Sequence, residues 1–305
     1  MAIPTSRTKE RALIKIKEEI CNGCGLCVSV CNDSCLFIEN GKVRESNTSF
    51  FGCYGCGHCM AICTNGAIEI FGREISPEDI FELPNNEKIL NYEQLLSLLQ
   101  QRRSIRKFKD TPIENDVIER ILTASKTAPM GLPPSDVNVL VLSGKEKTRA
   151  FAEDFSHYLK GKKFMTSRLF FALMRPFWGK ENDEIFKGFV SPLFKVYTDE
   201  MDKGNNYITY DAPLALYFYG SPYSDPADSI VAATFAMITA ETLGLGTCML
   251  GGIHPLIQNG RKARIFRKKH RIKCKSREGL FIVFGYPKEK YWKGIKRTFA
   301  SIQMI

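Results

Sequence analysis

Apolar residues fall at helical spacing in YEQLLSLLQQRR, at Tyr92, Leu95, Leu96, Leu98 and Leu99, and the run ends in the charged pair Arg102 and Arg103. TPIENDVIERILTASKTAP predicts a second helix, with Thr111 as its cap and Pro112 in its first turn. VNVLVLSG (Val137 to Gly144), PLALYFYG (Pro213 to Gly220) and LFIVFGYP (around Gly285) have the composition of strands. The longest apolar region runs from Ile230 to Ile253. Glu241 and several glycines interrupt it, which predicts a buried helix followed by a turn and argues against a membrane span. Helices and strands alternate, so the class is α+β or α/β.

SPEDIFELPNNE, between Phe71 and Leu90, is polar with two prolines and reads as a linker. It divides the chain into residues 1–75, a connection over 76–90, and a larger part over 91–305. With 305 residues, 44% apolar and 25% charged, the chain has the composition of a globular protein of about two domains. MAIPTSRTKERALIKIKEE lacks an uninterrupted apolar stretch and a small-residue cleavage site, so it does not read as a signal peptide and a cytoplasmic location is expected.

Net charge is +10, with a local extreme from Arg261 to Arg277, where ten Lys and Arg meet no Asp or Glu. Nucleic acid and an acidic redox protein both suit such a run. The favoured reading is a solvated helix face followed by a loop, with Ile265, Phe266 and Ile272 as its apolar side. Nucleic acid and a membrane are therefore not expected partners.

Nine of the eleven cysteines lie between Cys21 and Cys63, and in a cytosolic chain such a cluster points to metal ligands more than to disulfides. CNGCGLCVSVC (Cys21 to Cys31) and CYGCGHCMAIC (Cys53 to Cys63) share the spacing C-x2-C-x2-C-x3-C. The likeness continues past the cysteines, since each block ends in a short apolar, strand-like run, so one small unit is duplicated. Three thiolates on a tight loop suit a cubane cluster whose fourth ligand comes from elsewhere. Zinc, the alternative, usually pairs two separate C-x2-C knuckles. Cys35 aligns with Ala67 and is read as a packing residue, as are Cys248 and Cys274. His58 is read as a loop residue beside the metal.

Residues 13 to 71 resemble the bacterial two-cluster ferredoxins. The resemblance implies two [4Fe–4S] clusters with exchanged fourth ligands: Cys21, Cys24, Cys27 and Cys63 on one, Cys53, Cys56, Cys59 and Cys31 on the other. Asn32 and Thr64 stand where that family usually has Pro.

RRSIRKF at a helix end, APMGLPPSDV after the next helix, and AETLGLG (Ala240 to Gly246) leading into TCMLGGI together resemble the nitroreductase family of FMN enzymes, over about residues 91 to 300. The match is weaker from about Ala150 to Asn206. The resemblance implies an α+β domain with a central, mainly antiparallel sheet flanked by helices, and a homodimer with the flavin at its interface. It assigns Arg102, Arg103, Ser104 and Arg106 to the FMN phosphate and ribityl chain, and Pro129, Met130 and Gly131 to a loop along the flavin. Leu250, Gly251 and Gly252 supply a backbone amide facing N5. Arg297, with Lys296 as the alternative, reaches the phosphate.

Together the two resemblances describe an iron–sulfur flavoprotein oxidoreductase. Its clusters pass electrons to FMN, which reduces a small organic acceptor such as a nitroaromatic, a quinone or an activated alkene. A low-potential protein is the expected electron donor. NAD(P)H remains open, although no G-x-G-x-x-G follows a strand. An alternative is an electron-transfer or redox-sensing protein without turnover that serves a protein partner. No side chain stands out as a proton donor; Tyr207, Tyr210 and His254 are candidates by type, each with a structural reading. The aromatic stretch from Lys160 to Gly204, with Phe171, Phe177 and Trp178, is either helical core or a lid over the flavin.

Overall fold

The computed structural model describes residues 10–49 and 51–305. The start of the N-terminal stretch read above for a leader thus lies outside the described residues. The chain forms two compact units. The first comprises the chain up to Leu90 together with Pro129–Val137 and Gly220–Asp228; the second comprises Asn91–Ala128, Asn138–Tyr219 and Ser229–Ile305.

The cysteine-rich unit repeats one design. Helix α1 (Leu26–Ser29) and helix α2 (His58–Ile62) are single turns, each entered from a left-handed glycine, Gly25 at φ 78 and Gly57 at φ 77. A side chain is strained in that region, so the glycine of each C-G-x-C step is needed to turn the chain toward the next cysteine. Strand β1 (Leu13–Ile16) pairs antiparallel with β4 (Ile68–Phe71), placing Ile14 opposite Ile70. Strand β2 (Leu36–Glu39) pairs antiparallel with β3 (Lys42–Glu45). Ile14, Leu36, Val43, Met60, Ile68 and Ile70 form the core between the two ribbons. The stretch read as a linker holds local structure: Ser76 caps a 3₁₀ turn at Pro77–Asp79, with its N–H donating to Asp79 Oδ2 at 2.7 Å.

The larger unit opens with α3 (Tyr92–Gln101), capped reciprocally by Asn91 and Gln94. Helix α4 spans Asn115–Lys126, so the expected start at Thr111 and Pro112 is three residues early. Burial explains the delay, because Ile113 is taken into the core as extended chain before the helix begins. Strands β5 (Val137–Ser143), β6 (Leu214–Gly220), β7 (Gly246–Leu250) and β8 (Gly279–Gly285) form one sheet in the order β5-β6-β8-β7, with β8 antiparallel to both neighbours. β6 and β8 are buried along their whole length. Phe151 and Phe155 of α5 (Lys145–Lys160) and Phe266 of α9 (Arg261–Lys269) pack ring to ring, and Phe151 also meets Phe281 of β8.

Helix α8 (Pro226–Thr242) accounts for most of the long apolar region, and the rest continues into β7, which the sequence pattern did not predict. In α9 the apolar side consists of Ala263 and Phe266, joined by Ile272; Ile265, assigned to that side above, is 58% exposed. Between α5 and β6 the chain is helical: α6 (Arg168–Ile185), broken at Gly179, then α7 (Ser191–Lys195) with a π-turn on either side. Phe171, Phe194 and Tyr197 of this stretch are buried, whereas Phe177 is 84% exposed. Among the described residues no helix is long and apolar enough to cross a membrane.

Candidate functional site

The two cysteine blocks exchange members in three dimensions. Cys21, Cys24 and Cys27 line one small cavity with Cys63, and Cys53, Cys56 and Cys59 line a second with Cys31. The exchange follows from the antiparallel pairing of β1 with β4, which brings the end of the second block back beside the start of the first. Two backbone bonds repeat the symmetry: Cys35 N–H donates to Cys31 Sγ and Ala67 N–H donates to Cys63 Sγ, each at 3.3 Å.

Cys35 also lines the second cavity. Burial, with Cys31 beside it, pushes its thiol up to about 12. Burial likewise raises Cys27 and Cys53, and takes Cys59 to about 12. Cys21 is instead held below the ordinary thiol range by the backbone N–H groups of Val43 and Gly23. Among the described residues no group of three or more His, Cys, Asp or Glu is spaced to hold a single metal ion.

In the larger unit a cavity of about 1020 Å³ gathers Arg102, Arg103, Glu241, Lys290, Lys296 and Arg297. The arginine stretch is fixed to the sheet: Ser104 bridges to Thr247 of β7 and Ile105 N–H donates to Thr247 O at 2.8 Å. The approach is so close that a Cβ on Gly246 would lie 2.4 Å from Ile105 Cγ1, which is why the strand opens on glycine. Arg103 donates from Nη1 to Gln100 O and Arg102 O and from Nη2 to Lys293 O, and its Nε is buried with no partner among the described residues. Ser104 and Arg106 do not line this cavity. The Arg106 guanidinium stands 5.9 Å from the Tyr210 ring centre and, beside the buried Cys248, is held further above its ordinary range.

Leu250 ends β7 in the core, Gly251 is exposed, and Gly252 sits where a Cβ would lie 3.0 Å from Leu193 Cδ2. Pro129, Met130 and Gly131 belong to the first unit. There the Gly131 N–H donates to Asp228 Oδ1 at 2.9 Å, and burial raises the Asp228 carboxyl above the ordinary range.

The proton-donor candidates separate clearly. His254 is buried, and its Nε2 lies 3.2 Å from Arg277 O. A carbonyl only accepts, so Nε2 carries the proton and Nδ1 accepts from Tyr217 Oη at 2.9 Å. Gln258 closes this network on Tyr217, and burial holds the His254 imidazole below its ordinary range, so the residue is structural. Tyr210 is half-buried beside Arg106, and Tyr207 is 47% exposed.

Glu241 is the site residue that the sequence reading left aside. Its side chain enters the basic cavity from α8, where burial pushes the carboxyl up to about 7 against the pull of Arg102 and Arg103. The available signal was the interruption itself, one acidic residue in an otherwise apolar helix.

The sequence profile described as the nitroreductase family matches residues 99–286. No curated protein matches the chain in sequence. Among solved structures, a nitroreductase with bound FMN from Desulfitobacterium hafniense is 17% identical, with 71% of this chain and 100% of that chain covered at a TM-score of 0.50. A nitroreductase with bound FMN from Bacteroides fragilis is 16% identical, with 70% and 98% covered at a TM-score of 0.48. An FMN-dependent nitroreductase from Clostridium difficile is 20% identical, with 68% and 99% covered at a TM-score of 0.42.

Proposed function

We propose, on the premise that the chain belongs to the nitroreductase family, that this FMN-dependent oxidoreductase draws its electrons through two [4Fe–4S] clusters and reduces a small organic acceptor such as a nitroaromatic, a quinone or an activated alkene. The observation that carries the iron–sulfur half is the regrouping of the cysteines, three from one block and one from the other around each cavity. That is the ligand exchange of two-cluster ferredoxins. Four thiolates at about 2.3 Å from one zinc would stand closer together than those of a cubane, and among the described residues no group of three or more ligands is spaced for a single ion. Domain limits of 1–75 and 91–305, joined over 76–90, are proposed along the sequence, although Pro129–Val137 and Gly220–Asp228 are grouped with the first compact unit.

The cavity residues fit the FMN phosphate. Arg102, Arg103 and Arg297, with Lys296 beside them, would bind its oxygens, and the buried Arg103 Nε is a donor with no acceptor among the described residues. Ser104 and Arg106 are proposed for the ribityl chain, Pro129, Met130 and Gly131 for one edge of the ring, and Leu250, Gly251 and Gly252 for the amide toward N5. When bound, the clusters supply single electrons at potentials near about −400 mV or below and FMN converts them to two-electron chemistry. With His254 committed to the core, water supplies the protons.

A low-potential protein is the proposed donor, docking on the basic face of α9. Lys262, Arg267 and Lys269 of that helix are engaged within the unit, which leaves Arg261, Arg264 and Lys268 exposed for an acidic partner. The exposed Tyr92, Leu95 and Leu99 of α3 support a homodimer. A reducing cytoplasm suits the free thiols.

Anaerobic purification with iron and flavin quantified tests the reading: about eight irons, four per cluster, and one flavin per chain are expected. The dithionite-reduced protein should turn over nitroaromatics or quinones in the steady state. Four irons, no flavin, or merely stoichiometric transfer would overturn it.

A further inference from the structure

Arg73 follows β4 in a turn of positive φ and is only 9% exposed, although its side chain carries a full charge. Among the described residues its guanidinium donates to backbone carbonyls on separate stretches of the first unit. Nε donates to Tyr54 O at 3.0 Å, Nη1 to Glu10 O at 2.6 Å and Nη2 to Pro133 O at 2.7 Å. These partners come from stretches far apart in sequence. Tyr54 lies between Cys53 and Cys56 and lines the second thiol cavity, not the first. Pro133 lies two residues past Gly131, in the Pro129–Val137 segment that packs with the cysteine unit. A planar fork of five N–H donors can fix carbonyls on separate loops at once, which neither Lys nor an apolar residue can do. The segment has a second anchor in the bond from Gly131 N–H to Asp228.

We propose that Arg73 is a positioning residue that locks the Pro129–Pro134 segment to the Cys53–Cys56 loop, and that the cluster held by Cys31, Cys53, Cys56 and Cys59 is consequently the one that delivers electrons to FMN. The proposal rests on the iron–sulfur flavoprotein reading above. The cluster held by Cys21, Cys24, Cys27 and Cys63 is then the one that takes electrons from the external donor. The electrons balance simply: an external low-potential donor loses two electrons, they cross the exit cluster one at a time, and FMN takes up both with protons from water. The guanidinium carries no electron. It holds two loops at a fixed separation, and loosening that contact lengthens the electron path and slows transfer.

The test uses the full-length holo-protein as wild type, Arg73→Ala, Arg73→Lys, Cys21→Ser and Cys53→Ser, with iron and flavin counted for each. Loss of flavin absorbance is followed after mixing with dithionite, and amide hydrogen exchange is followed over residues 129–137. Arg73→Ala should keep its iron and flavin, exchange faster over 129–137, and reduce flavin several-fold more slowly. Arg73→Lys should recover little of either property. Cys21→Ser should retain fast flavin reduction, while Cys53→Ser should fall to the slow rate of direct chemical reduction. If wild type, Cys21→Ser and Cys53→Ser all reduce flavin at one slow rate, the flavoprotein reading itself fails. If wild type is fast but Arg73→Ala matches it in rate and exchange, or Cys21→Ser is slow while Cys53→Ser stays fast, the role of Arg73 and the exit assignment are overturned.

Discussion

Glu241 and Arg103 share the wall of the basic cavity, and each buries a polar side-chain atom, Oε1 and Nε, that has no hydrogen-bond partner among the described residues. A buried group left in that state costs about 1–3 kcal/mol, so both side chains are set to gain from a ligand whose oxygens accept from each. A phosphate does so when the carboxyl is protonated.

The first prediction follows from that pairing. With its carboxyl raised to about 7, Glu241 is neutral below that pH and can donate to a phosphate oxygen. Above it the carboxylate opposes the phosphate and offsets Arg102, Arg103, Lys290, Lys293, Lys296 and Arg297, as Glu289 already does. FMN affinity therefore falls as pH rises through about 7, by at most about tenfold per pH unit for one linked proton. Glu241→Gln should bind FMN with little pH dependence. Fluorescence titration from pH 7 to 9, above the second phosphate ionisation near about 6, reads this without interference. Parallel curves for the two proteins would refute the assignment.

The arginines should discriminate by phosphate. Charge-assisted bonds contribute about 1.5–3 kcal/mol, so Arg103→Ala should weaken FMN binding by about ten- to hundredfold. Riboflavin, which has no phosphate, should bind wild type and variant alike. Equal losses for both ligands would move the phosphate away from this cavity and leave Arg103 as a brace for the tail at Lys293.

Much of this arrangement was legible in residue order, and what was not has a common cause. Strands β5, β6 and β8 announce themselves as apolar runs between turn residues, and the thiol spacing carries the duplication with its glycines at 25 and 57. β7 was hidden because its Gly246 reads as a breaker, yet the glycine is there to admit Ile105. The delayed start of α4 at Asn115 and the exposure of Ile265 are likewise set by what the core takes in, Ile113 in one case and Phe266 in the other. Glu241 meets Arg102 and Arg103 across more than a hundred residues, and Arg73 meets Pro133 across sixty. No local periodicity encodes such pairs.

Two substitutions separate the ligand from the packing cysteine. Cys31→Ser should lose the cluster shared with Cys53, Cys56 and Cys59 and bring iron from about eight to about four per chain. Cys35→Ala should keep all of it, because Cys35 occupies a buried position whose counterpart in the repeat is Ala67. Iron analysis with EPR of the reduced proteins checks both. Loss of a cluster in Cys35→Ala would make Cys35 a ligand and undo the exchange proposed for Cys31.

The aromatic helices of 160–204 should divide residue by residue. Phe171 is buried at 7% exposure, with the Lys187 ammonium 5.8 Å from its ring centre, so Phe171→Ala should cost about 3–5 kcal/mol of stability. Phe177 is on the same helix but 84% exposed, and Phe177→Ala should stay within about 0.5 kcal/mol of wild type. Trp178 is the intermediate case, half-buried and stacked on Phe186 at 4.4 Å. If the exposed side of α6 selects flat acceptors, Phe177→Ala raises the KM for nitroaromatics while leaving that for a small quinone unchanged. Thermal melts and a two-acceptor kinetic comparison decide. Unchanged kinetics in Phe177→Ala, together with a large loss of stability in Phe171→Ala, would limit the stretch to a packing role and leave acceptor choice to other residues.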